Sequence, residues 1–195
     1  MLVPGPHVDD GVPLVRISDI HDGLIDSSAM KRIAPEVDAR FPRTRVYGGE
    51  VLLSVVGSIG RVAVTPQSLA GANVARAVSM IPLREDVLPE FVAYALRSPA
   101  AQQWLSANAH EVARKTLNLE DVKRFELPVP PIHEQARVVA ELDTVFGDVG
   151  HARLAVAAVA SRVPPLRAAL LAAAFSGQLT GRSSDMEMVE EMAGV

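Results

Sequence analysis

The side chains of this sequence best suited to chemistry are cations gathered in one segment. Between residues 31 and 76 lie seven basic groups, Lys31, Arg32, Arg40, Arg43, Arg45, Arg61 and Arg76, against three acids, Glu36, Asp38 and Glu50. Lysine and arginine at this density suit contacts to phosphates, so Lys31, Arg32, Arg43, Arg45, Arg61 and Arg76 form a candidate footprint for a polyanion. Scattered surface charge is the competing reading. An asparagine amide can bond adenine through two hydrogen bonds, and Asn73, in "GANVAR" (71–76), lies in the same segment. It suits a turn equally well. The whole chain carries a net charge of −4, which argues mildly against nucleic acid. After residue 128, however, five basic groups face eight acids. The positive character is therefore local to the front part of the chain.

Signals for catalysis are poor. The histidines at 7, 21, 110, 133 and 151 show no H-x-x-x-H spacing and no third metal ligand. "GSIG" (57–60) resembles a phosphate cradle, but no helix follows it, so a phosphate-binding loop is excluded and a hairpin turn is expected. There is no nucleophile-elbow motif, no dinucleotide fingerprint and no paired-carboxylate motif. With no cysteine, disulfides and Cys-based zinc sites are impossible. A non-enzyme with no cofactor and no metal is expected. The first residues, "MLVPGPHVDDGVP", lack the basic start and apolar core of a secretory signal. No uninterrupted apolar run approaches the ~18 residues of a membrane helix. A soluble cytoplasmic protein with no membrane partner is expected.

The elements that must position the cations are short. "VPLVRISDIHDGLID" (12–26) reads as a strand closed by a turn at His21-Asp22-Gly23, and residues 30–46 as a loop with one helical turn. "GGEVLLSVVGSIGRVAVTP" (48–66) holds two β runs, 51–56 and 61–64, around Gly57-Ser58-Ile59-Gly60, and 74–83 reads as a further strand. Residues 88–109 read as helix, split at Ser98-Pro99. A capped turn follows at 118–125 with Asn118 as cap, then a last strand "ELPVP" (126–130). From Val138, steps of four and three land on Leu142, Val145, Val149, Ala152, Val156, Val159, Val163, Leu166, Leu170 and Ala173, all apolar. That is the seam of a helix packed along another helix. Pro131 suits its start, and Pro164-Pro165 should kink or restart it.

With these pieces in order, the chain resembles one half of a type I restriction–modification specificity subunit. The resemblance rests on "GVPLVRISDIHDGLID", "GEVLLSVVGSIGRVAV", "LPEFVAYALRSP", "KTLNLEDVKRFELPVPPIHEQARVVAELD" and "LRAALLAAAFSGQL", covering roughly residues 11–180. It implies an α+β fold, with a small mixed-sheet target-recognition domain at 1–130, a spacer and dimerisation helix at 131–180 and a disordered tail at 181–195. It implies sequence-specific reading of half a DNA site, with Ser58 and Arg114, Lys115 and Thr116 on loops facing the DNA. Val138, Leu142, Val145, Val149, Val156 and Val159 would pair the helix. The implied partners are double-stranded DNA, the modification (methyltransferase) subunits and, through them, the restriction and motor subunit. The second half would come from another copy or another specificity half. The family's domain usually begins several dozen residues before the equivalent of Gly11, so part of the β-core is expected to be absent. The alternative is a structural or regulatory coiled-coil half-subunit that binds partners without reading DNA.

Overall fold

The structure is a computed structural model that describes residues 7–111 and 115–176. Chain order is β1 (Val12–Val15), β2 (Ile20–His21), β3 (Leu24–Ile25), β4 (Lys31–Ile33), α1 (Pro35–Asp38), β5 (Val51–Ser54), β6 (Val62–Val64), β7 (Asn73–Val74) and β8 (Val78–Ile81). Then come α2 (Pro89–Arg97), α3 (Pro99–Ala107), β9 (His110–Glu111), β10 (Lys115–Thr116), α4 (Leu119–Val122), α5 (Ile132–Ala160) and α6 (Val163–Phe175). The chain divides into two units, Met1–Glu141 and Leu142–Val195.

In the first unit, one sheet runs β4-β1-β7, with β1 antiparallel to β4 and parallel to β7. A second, antiparallel sheet runs β6-β5-β8, and β2–β3 and β9–β10 are two-stranded ribbons. The expected α+β fold with small mixed sheets is what forms. Strand β5 explains why "VLLS" is apolar without alternation. Leu52 packs in one core with Val15, Ile20, Val46 and Val74, while Val51 and Leu53 pack in another with Val92, Leu96, Leu105 and Leu117. Side chains of a strand alternate between faces, so a strand buried on both faces needs apolar residues throughout. Helices α2 and α3 meet at Ser98, whose hydroxyl accepts from the Ala101 amide, with Pro99 as the first residue of α3. The Asp22-Gly23 turn between β2 and β3 has positive φ at both residues, 48° and 90°, as a tight hairpin turn requires.

Three expected elements are corrected. Residues 126–130 form no strand; Pro128 and Pro130 have no amide hydrogen to give a ladder. The run 74–83 is not one strand. β7 ends at Val74 in the first sheet and β8 resumes at Val78 in the second, because a turn at 76–77 carries the chain between sheets. The supposed loop at 30–46 contains β4, with Lys31, Arg32 and Ile33 opposite Leu14, Pro13 and Val12. Its only apolar anchor is Ile33, fully buried, too little pattern to read as a strand.

The second unit is helical as far as it is described, comprising α5 from Leu142 onward and α6. Helix restarts at Val163 with Pro164-Pro165 in the first turn of α6, where proline's missing amide costs nothing. Val145, Val149, Val156 and Val159 are 44–68% exposed. By length and composition, Ile132–Phe175 is apolar enough to cross a membrane, with one 18-residue stretch at mean hydropathy 1.4 and none of that stretch buried. The expected tail at 181–195 lies outside the described residues.

Candidate nucleic-acid interface

The turn between β5 and β6 is organised by Ser54, which is fully buried. Its hydroxyl donates to the Ser58 carbonyl at 2.5 Å and accepts from the Arg61 amide at 2.8 Å. Gly57 and Gly60 take positive φ, 78° and 88°, a conformation glycine adopts without steric cost. The ribbon β9–β10 is sewn to this turn: the Gly57 amide donates to the Lys115 carbonyl at 2.8 Å, and Leu117 donates to Val55 at 2.8 Å. On the other side, one Arg61 guanidinium nitrogen donates to the carbonyls of Ile17 and Ile20, both at 3.1 Å. Ser18, Gly57, Ser58, Arg61 and Arg76 thereby line one open cleft of about 400 Å³. Ser58 and Arg76 are exposed there.

This cleft gathers Ser58, Arg61 and Arg76 from the expected footprint, with exposed Lys115 and half-buried Thr116 joined to its turn. Arg114 lies outside the described residues. Lys31 and Arg32 are exposed on β4, an edge strand of the other sheet, where an Arg32 guanidinium nitrogen donates to the Gly11 carbonyl at 2.8 Å. Arg43 is exposed in the tight turn Pro42–Thr44. Val138 and Leu142 are half-buried, while Val145, Val149, Val156 and Val159 are exposed along α5.

Two expectations meet a buried polar knot instead. Asn73 is fully buried. Its amide nitrogen donates to Asp38 at 2.8 Å and to the Phe41 carbonyl at 3.1 Å, and its oxygen accepts from the Thr44 hydroxyl at 2.6 Å and the Val74 amide at 2.8 Å. An amide with this many partners and no exposed edge cannot read a base in this structure, so Asn73 is corrected from base reader to core anchor. Arg45 is a partner within the same knot, its Nε and a terminal nitrogen donating to Asp38. The Arg45 guanidinium holds the Asp38 carboxyl below the usual range against the opposing effect of burial, helped by the Asn73 bond. Asp38 in turn raises Arg45. Arg45 therefore braces the domain as well as carrying charge.

Sequence reasoning missed two residues beside the turn. Gln102 donates to the Gly60 carbonyl at 2.9 Å and the Leu96 carbonyl at 2.7 Å, clamping the turn to α2. Arg97, over the Tyr94 ring at 5.4 Å, lines a polar cavity of about 510 Å³ together with Arg61 and His21. At the end of α2, Arg97 reads from sequence only as a complement to the helix dipole. Among the described residues no group of three or more acids or histidines is placed to hold a metal ion.

Residues 9–155 match the family described as the type I restriction modification DNA specificity domain. The chain is 37% identical over 180 residues to the type I restriction enzyme EcoBI specificity subunit of Escherichia coli, covering 92% of this chain. It is 26% identical over 182 residues to the EcoKI specificity subunit of Escherichia coli strain K12, covering 88% of this chain. It spans 38% of the length of each of these relatives. A solved structure described as the structural basis of complex assembly and conformational transition of the type I R-M system aligns with a TM-score of 0.65 at 19% identity. That likeness covers 90% of this chain and 42% of the other. The HsdS subunit from Thermoanaerobacter tengcongensis aligns at 0.58 and 24% identity, over 73% of this chain and 37% of its own. At such identities these likenesses speak for the fold alone. The family match spans most of the chain, and the relative at 37% identity extends over nearly all of it. The chain belongs to the type I restriction–modification DNA specificity family.

Proposed function

We propose that this chain reads one half of a two-part DNA target and presents its long helix to the subunits that act on that DNA. The observation that carries the reading is the cationic cleft of Ser58, Arg61 and Arg76 on a rigid β-turn inside the matched domain. Guanidinium groups on a fixed frame bind phosphates and base edges with little loss of side-chain freedom. Lys31, Arg32, Arg43 and Lys115 extend the proposed footprint, and Thr116 lies beside its turn; Arg114 joins the proposal through the family resemblance alone. Within the proposal, residues 1–130 form the recognition domain and 131–180 the spacer. The exposed valines of the seam meet a second copy of this chain or another specificity half. Modification subunits dock on the paired helices, and the restriction and motor subunit joins through them. A chain acting this way catalyses nothing, needs no cofactor and works in the cytoplasm. The seam is read as a partner face rather than a membrane span, because Arg162 and Arg167 interrupt the apolar sequence, where a charge in a bilayer is costly.

Fluorescence polarisation with duplex DNA over a salt series, with and without modification subunit, tests the reading. Exposed Arg43 and Arg76 replaced together by Ala should weaken binding to every sequence and lower the salt slope by about two. An unchanged slope removes this surface from the interface. Absence of binding by the wild-type chain in both conditions would leave only the helix-docking role.

A further inference from the structure

A second fully buried side-chain amide, besides Asn73, belongs to Gln135, in the first turn of α5. Gln135 is fully buried, although its helix neighbours Ile132, His133, Ala136 and Arg137 are all exposed. Its oxygen accepts from the Leu88 amide at 2.8 Å. Its nitrogen donates to the carbonyls of Asp86 at 2.9 Å and Pro130 at 2.8 Å. The Leu88 residue so bound is the N-cap of α2. One side chain thus ties together the loop entering α2, the Pro130-Pro131 corner and the start of α5. Each partner is a backbone atom, so the tie does not depend on what residues occupy that loop. A buried amide bonded in this way holds one orientation, because any other leaves polar groups unsatisfied away from water.

We infer that Gln135 is a positioning residue that seats the first turn of α5 on the recognition domain. Through this seat it limits the spacing between half-sites that a pair of chains accepts. The second clause rests on the proposed function; the first does not. Gln135 touches no residue of the candidate footprint in its hydrogen bonds, so its effect on DNA is on spacing and not on half-site contacts.

The test uses the full chain with Gln135→Met, which keeps length and volume but removes all three bonds, and Gln135→Ala. Hydrogen exchange followed residue by residue needs no DNA. The expected result is exchange at least about tenfold faster at Leu88 and over 133–138, with β5 and β8 as protected as in the wild type. Unchanged exchange at Leu88 and 133–138, or an equal loss of protection across β5 and β8, would overturn the seat. The second measurement compares duplexes whose half-site gap varies by single base pairs. The wild type should prefer one gap, and the variants should accept neighbouring gaps within about threefold, with the salt slope unchanged. A variant that shows the local exchange change yet keeps the single preferred gap would overturn the spacing role while leaving the seat standing.

Discussion

Arg45 and Asn73 converge on Asp38, whose ionisation makes a pH prediction. The residue is 4% exposed and its carboxyl accepts from Arg45 and Asn73; the Arg45 bond, then the Asn73 bond, draw its pKa below the ordinary value. A carboxyl with a lower pKa in the folded than in the unfolded state stabilises the fold above the unfolded value of about 3.9. That contribution fades as pH falls from there through the folded value. Asp38→Asn should therefore cost about 2 kcal/mol at pH 7, and the gap to wild type should narrow below about pH 4. Urea midpoints from pH 7 to pH 3 measure it. A constant gap across that range would show that Asp38 acts by shape alone.

At the scale of elements, the β5–β6 turn and the α5 seam each make a separate prediction. Gly57 and Gly60 both have positive φ, but a Cβ at Gly57 meets open space whereas one at Gly60 would lie 2.4 Å from the Gln102 side-chain oxygen. Gln102 cannot swing aside freely, since its amide holds the Gly60 and Leu96 carbonyls. Gly57→Ala should cost about 1 kcal/mol of backbone strain and Gly60→Ala about 3 kcal/mol, a ranking that thermal melts resolve. Along α5, Val145 and Val149 are 55% and 44% exposed, a face that water leaves without favourable partners. Replacing both with Asp should convert a self-associating chain to a monomer by light scattering. A monomeric wild type would remove the homotypic seam.

At the scale of the whole molecule, if the seam pairs two copies of this chain as proposed, the commonest assembly is a closed two-fold pair. Two identical domains related by such an axis read the same bases in inverted order. The DNA target is therefore expected to be an interrupted palindrome, its gap set by the paired helices. Methylome sequencing of cells carrying this chain with a modification subunit of the family checks this directly. An asymmetric two-part motif would mean that a different half completes the unit.

What the sequence alone determined are the features with local causes. Gly57 to Gly60 had to turn because glycine alone takes those backbone angles at no cost. The break at Ser98-Pro99, the helix start after Pro131 and the restart at Pro164-Pro165 follow from proline's missing amide, helped at the first of these by the Ser98 hydroxyl cap. The apolar seam from Val138 follows from periodicity. Tertiary structure decided which polar groups remain for a partner, because their rivals lie far away in the chain. Asn73 and Asp38 are 35 residues apart, and Arg61 reaches a carbonyl 44 residues away. No spacing rule links such pairs; only the parallel contact of β1 with β7 and the packing of two cores against β5 bring them together. Pattern therefore named the candidates, and the fold chose among them: it buried Asn73, tied Arg45 to Asp38 and left Ser58 and Arg76 at the open cleft.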